Sequence, residues 1–419
     1  MKLRLKLKVS DLPFLILFAY AVSLAPFLDS AFRNFFLILF APTSLLIIAA
    51  KRVRFTNDLP LLAGALLYPF LVVISSESMG NLVTIAYTVI FASGYLALAS
   101  TLNLEQVTAV RVKNFLAWLI KLFAIVSVIQ LLSSMAGLPV LNVLATRGIW
   151  NHNSLATEPS NVGRIISLCM LVYLILLRFD DNGRKFTQVI WNNKLLLAAF
   201  VTVILLSGSA LAMAAAPLAV LSAFRMRWGL ILLCVVVVLW PLLSEIENQS
   251  VRRMLLFIEA SEGLDLMRMA QQDTSGTVRV GPLIIWLDTL DPQGWAFWLG
   301  GGLDSMNFFR GLIPGVEDTL TVGFLPGYWM AFGFAGTILF LWVFVFRFTN
   351  LRTLPVVLLL LIFFFTAGWN TQVFWFGLLL LRVCYKFAGS RSSVPSGITT
   401  LSPVPRGAEG ALARDVNRP

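Results

Sequence analysis

Long apolar runs separated by short polar breaks dominate the chain. A bilayer is crossed by an α-helix of about 20 apolar residues, and candidate spans are runs of roughly 15 to 24. The pattern predicts such spans at Leu12–Leu28, Phe35–Ala50, Leu59–Ser75, Leu82–Ala99, Phe115–Leu138 and Val162–Leu177. It continues with Leu195–Leu206, Leu211–Phe224, Leu230–Leu243, Phe324–Phe346, Leu354–Gly368 and Val373–Phe387. That makes about twelve helices, with both chain ends on one side. Leu195–Leu206 and Leu211–Phe224 are short, and Ser207-Gly208-Ser209 divides them. A single broken or re-entrant helix is the alternative there. The runs are continuously apolar rather than alternating, which argues against a transmembrane β-barrel. The expected class is an all-α integral membrane protein.

Three stretches interrupt the pattern and divide the chain. Residues 1–243 form an N-terminal transmembrane bundle that carries a polar loop at 139–161. Residues 244–323 form one large outer loop, and 324–387 the C-terminal spans. Residues 388–419 are rich in Ser, Pro, Gly and Arg and read as a disordered tail. Within the large loop, Val251, Met254, Leu255, Ile258, Leu264 and Met267 recur at helical spacing. They predict a helix over Val251–Met269 lying on the membrane surface.

Composition agrees with the pattern. The chain has 419 residues, 58% of them hydrophobic and 13% charged, with a mean hydropathy of +0.84. Soluble domains carry about 25% charged residues. Cys169, Cys234 and Cys384 all lie in apolar runs, so no disulfide framework or metal cluster is legible. The net charge of +11 raises the question of a nucleic-acid partner. Its distribution answers no. Lys51, Arg52, Arg54, Arg111, Lys113, Arg178, Arg184, Lys185 and others cluster in alternate short loops, as the positive-inside rule requires. Those loops and both termini are then cytoplasmic. The outer cations are Arg33, Arg147, Arg164, Arg252, Arg253, Arg268, Arg279 and Arg310, all arginines. Arginine binds phosphate bidentately, which lysine does not. Lys2, Arg4, Lys6 and Lys8 precede the first run without a small-residue cleavage site, so that run reads as an uncleaved first helix.

The polar island from Arg147 to Arg164 concentrates the candidate chemistry. It holds His152, the one histidine of the chain, and Glu158 beside Pro159. Pro159 fixes its own φ and biases Glu158 toward an extended backbone. Thr157 or Ser160 can cap the helix that follows. The carboxylate then sits at a helix entrance, where the dipole stabilises it.

Glu158-Pro159-Ser160, with Arg147 upstream and Gly163 after it, resembles the signature of the Wzy-type polymerases of bacterial surface polysaccharides, within the O-antigen polymerase and ligase superfamily. Ser275 with Arg279 resembles that superfamily's Ser-x-x-x-Arg element, and Gly300 to Ser305 its Gly-x-Gly-x-x-Ser element. Gly333-Phe-Ala-Gly336 resembles its small-residue helix packing. The likeness covers about half the chain, from Arg147 to Phe346. Ser207-Gly208-Ser209 departs from the superfamily, which often has an arginine there.

The resemblance implies a GT-C-like membrane glycosyltransferase of the bacterial inner membrane, with its large late loop in the periplasm. Its substrate is an undecaprenyl-diphosphate-linked oligosaccharide repeat, and a separate chain-length-regulating co-polymerase is the expected protein partner. No cofactor is implied, and no metal. The leaving diphosphate needs fixed cations, and the outer loops show no Asp-x-Asp cluster to hold a metal. Arg279 is the first candidate, then Arg147, Arg164 and Arg310. The acceptor hydroxyl needs a base or an orienting acceptor. Glu158, His152 and Asp318 are the candidates. Ligases of the superfamily carry a functional histidine in the large loop, and this chain has none there. That favours a polymerase over a ligase. A transporter is the reading outside enzymes; it predicts matched repeats and midplane polar sites, which the pattern does not show.

Overall fold

The computed structural model describes residues 8–24, 35–56, 59–75, 82–142, 151–180, 188, 192–222, 256–309, 311–313 and 322–389. Among them the chain is helical, with no strand. In chain order the helices are α1 (Leu12–Ala21), α2 (Phe35–Ala50), α3 (Leu59–Ser75), α4 (Leu82–Thr101), α5 (Ala109–Met135), α6 (Pro159–Asp180) and α7 (Lys194–Ser207). There follow α8 (Ala210–Ser222), α9 (Leu266–Asp288), the short α10 (Trp295–Leu299), α11 (Phe324–Phe344), α12 (Leu354–Thr366) and α13 (Gln372–Cys384). Helices α5, α6 and α11 are long and apolar enough to cross a membrane, which marks a membrane protein. Helices α1, α2, α4, α7, α8 and α12 also contain apolar stretches, shorter than those three. The expected span Leu230–Leu243 lies outside the described residues.

The ends of the helices have local causes. Helix α5 starts ahead of its apolar run because the Thr108 hydroxyl accepts the Arg111 N–H. Helix α6 opens on Pro159, whose missing N–H matters least at a first position. Helices α7 and α8 are separate, and Gly208 closes α7 at φ +56°. Helix α1 stops at Ala21, short of the expected Leu28: Val22 turns extended, and the Ser23 N–H donates to the Leu155 carbonyl.

Helix α6 is the axis of the bundle. It is buried along most of its length and packs on α5, α7, α8, α12 and α13. Gly163 permits the closest of these approaches, since a Cβ there would lie 2.1 Å from the Ala212 Cβ on α8. Helix α13 is buried at every residue. Phe374 and Trp375 on α13 join Phe324, Phe340 and Phe344 of α11 in one aromatic cluster. Helix α5 instead leaves Trp118, Ile125, Ile129 and Leu132 exposed, the surface expected against lipid.

Contacts at the helix ends sort the bundle into two layers. In one, Ser23 meets Leu155, and the Gln372 amide donates to the Ala19 and Val22 carbonyls. His152 N–H donates to Leu206, and Phe324 N–H to Ala367. In the other, Arg111 pairs with Asp11 at 2.7 Å, Arg382 donates to Tyr95 and Thr56, and Arg352 donates to Ala388. Arg382, a charge inside an expected span, thus has polar partners and lies 4.7 Å from the Phe348 ring centroid.

The segment between α8 and α11 departs from expectation. No single helix covers Val251–Met269. Residues 256–261 are helical, Leu264 breaks the chain at φ +51°, and Asp265 starts α9 by accepting the Met267 and Arg268 N–H groups. Asp273 is non-helical inside α9. Ser275 and Arg279 are therefore on a helix within the segment between α8 and α11. The glycines at 300–302 form a backbone clip: Gly301 and Gly302 donate to the Met330 and Ala331 carbonyls of α11. Those carbonyls are accessible because Gly333 interrupts α11 at φ +68° and ψ −178°. Gly336 fits the small-residue reading: a Cβ there would lie 2.7 Å from the Tyr68 ring of α3.

Candidate functional site

Glu158 sits on the last turn of loop before α6. Its root is fixed by buried amides. Gln130 on α5 donates to the Leu141 and Ser154 carbonyls and accepts the Ser154 N–H. Asn142 donates to the carbonyls of Ser23, Ser154 and Ala156. Asn153 donates to the carbonyls of Asn142, Ala156 and Thr157. The Ser154 hydroxyl donates to the Phe123 carbonyl at 2.8 Å. Such a network holds one loop conformation because each broken bond leaves a buried polar group unsatisfied. Asn142 and Ser154 adopt positive φ, +59° and +46°. The strain is tolerated because the surrounding bonds over-determine them.

The Glu158 side chain itself is exposed. The Ser160 hydroxyl donates to its Oε2 at 3.2 Å, and Arg279 Nη2 donates to the same hydroxyl at 3.4 Å. Arg279 comes from α9, 119 positions away in sequence. One serine thus joins the candidate base to the candidate diphosphate ligand. Arg164 lies beneath, on the first turns of α6. It is only 5% exposed, and lies within electrostatic reach of both Arg279 and Glu158. Its Nη2 donates to the Thr366 carbonyl of α12 and its Nη1 to Asn161 Oδ1, while its Nε–H has no hydrogen-bond partner. Two guanidinium groups therefore lie near one carboxylate, Arg279 reaching it through the Ser160 hydroxyl and Arg164 through its field. The two like charges favour an anion near them, and the Arg164 Nε–H is a donor without a partner there.

His152 is buried, and its main-chain N–H fastens the loop to the end of α7. Arg147, Arg310 and Asp318 lie outside the described residues. Gln130, Asn142 and Asn153 had no part in the sequence expectation. An amide inside the apolar run that became α5 was the available signal for Gln130; for the two asparagines there was none beyond their place in or near the island. Comparison with protein-family models, with curated proteins and with solved structures finds no match to this chain.

Proposed function

We propose that this protein polymerises lipid-linked oligosaccharide repeats in the bacterial inner membrane. Glu158, Arg279 and Arg164 form its reaction centre, and both chain ends lie in the cytoplasm. The observation that carries the reading is the meeting of Arg279 and Glu158 through Ser160, which lies 119 positions from Arg279. The two polar elements that resemble the polymerase signature thus come to one place.

The reaction assigns each group a task. The acceptor repeat's sugar hydroxyl forms a bond to the anomeric carbon of the growing chain. The anomeric C–O bond to the diphosphate breaks, and its electron pair leaves with the lipid diphosphate. Glu158 takes the hydroxyl proton; its exposure lets an incoming glycan reach it. Arg279 and Arg164 meet the charge that grows on the leaving diphosphate.

In vitro polymerisation with purified protein and undecaprenyl-diphosphate repeats tests the assignment. Arg279→Lys keeps the charge and loses the fork, and the rate should fall on the order of a hundredfold. Glu158→Gln keeps the shape and removes the base, and should abolish polymer. Near-normal polymer from both variants sinks the site. Deleting the gene separates the reaction classes. Loss of a polymerase leaves single repeats on the acceptor, loss of a ligase leaves long unattached chains, and loss of a transporter leaves glycan length unchanged.

A further inference from the structure

The chain between α9 and α11 leaves the bundle and returns to it at one end. Arg279 of α9 meets Ser160 there, and the Phe324 N–H that opens α11 donates to Ala367. Between these two points the chain does not stay at that end. Trp298 and Gly300 lie against Gly333, where a Cβ would come 2.4 Å from the Trp298 carbonyl and 2.5 Å from the Gly300 nitrogen. Gly333 lies about 13 Å along α11 from Phe324. The apolar stretch Phe324–Phe348 has 25 residues, about 37 Å against a hydrocarbon thickness of about 30 Å. Gly333 is then roughly 10 Å below the hydrocarbon surface. A contact from α3 joins the same place. Tyr68 Oη donates to the Leu299 carbonyl at 3.1 Å and is also 3.2 Å from the Phe332 carbonyl. Tyr68 is in the middle of α3, about 10 Å from the end of that helix at Ser75.

Chemistry agrees with depth. No charged residue occurs from Pro292 to Leu303. Trp295 is 81% exposed, and Trp298 and Leu299 are about half exposed. Their surface continues through Phe334, which the Trp298 ring touches, to the exposed Ile338 and Trp342 on α11. Non-helical backbone is tolerated at membrane depth only where protein satisfies it. Here Gly301 and Gly302 N–H donate to α11, Tyr68 and Trp329 donate to the Leu299 and Phe297 carbonyls, and Trp298 Nε1 donates to Pro292.

We infer that Trp295–Gly302 is a re-entrant element. It enters the hydrocarbon from the end that carries Glu158 and Arg279, and sets Trp295, Trp298 and Leu299 against lipid acyl chains. The sequence alone places this stretch in the large outer loop. Nitroxide labels at Trp295→Cys and Leu299→Cys test the inference, in a cysteine-free background, with the protein in phosphatidylcholine–phosphatidylglycerol nanodiscs. Both replaced side chains are exposed, so folding survives the change. Collision with oxygen should exceed collision with a water-soluble nickel chelate several-fold at both positions, and the reverse should hold at Glu262→Cys. Nickel-dominated relaxation at 295 and 299 overturns the inference, because the element then lies in water. Protection from both reagents overturns it too, because a protein partner or a second copy then covers the face. Neither readout depends on catalytic activity.

Discussion

Glu158 is exposed at its tip and held at its root, and the two properties call for different variants. The root depends on Asn142, whose amide serves three carbonyls. Asn142→Leu matches the size and removes the donors. The stranded carbonyls should cost about 2–4 kcal/mol, read as a lower midpoint of thermal unfolding in detergent. Asn142→Asp should fail as well, because a carboxylate offers acceptors to acceptors. His152→Ala removes a buried ring but leaves the main-chain bond to Leu206. It should lower the same midpoint while retaining more polymerisation than Glu158→Gln. Glu158 and Arg279 were legible as candidates because Glu158 stands next to Pro159 and Arg279 follows Ser275 in the Ser-x-x-x-Arg spacing. Asn142 was illegible because an amide that serves backbone carbonyls follows no spacing. Its partners are set by where Ser23, Ser154 and Ala156 arrive in space.

At the scale of elements, apolar runs gave the helices their places, and capping chemistry gave them their ends. The run at Phe115 became a helix starting at Ala109 because Thr108 could cap it. Two elements were misread: α1 ends before Leu28, and the single helix expected over Val251–Met269 divides at Leu264. Asp265 ahead of Leu266 is a helix start, and α9 carries the Ser-Gly-Thr stretch past the kink at Asp273. Glycine decides two contacts. Gly163→Val should force α6 and α8 apart, because even a Cβ would overlap Ala212. Overpacking of this kind costs about 1–3 kcal/mol or more. The expected readout is aggregation on size exclusion in detergent. Gly163→Ala should be milder, and Ala212→Gly added to it should restore part of the loss. Gly333→Ala meets a second obstacle, since its φ of +68° suits glycine alone among common residues. It should release the 300–302 clip and raise protease cleavage near Gly302 while the rest of the bundle stays intact.

For the whole molecule, the apolar pattern carried the all-α membrane class, and end-to-end contacts between distant segments carried the arrangement. Cysteines at Ser23 and Leu155 check that arrangement directly. In a cysteine-free background they should cross-link under mild oxidant, and cleavage between the two positions should then release no separate N-terminal fragment. The Asp11–Arg111 pair at the opposite end is partly exposed, so Asp11→Asn should change the unfolding midpoint little. Gln372 sets a condition of another kind. Its amide takes the Ala19 and Val22 carbonyls at the end of α1, groups that a helix terminus leaves without an internal partner. Donor and acceptor are up to 353 positions apart. At 5–20 residues per second a ribosome needs about 20–70 s to supply the donor. For that interval the first helix has been made and its end is still open. A chain arrested before Gln372 should therefore persist in the membrane only briefly, and pulse–chase labelling should show it degraded faster than the full chain.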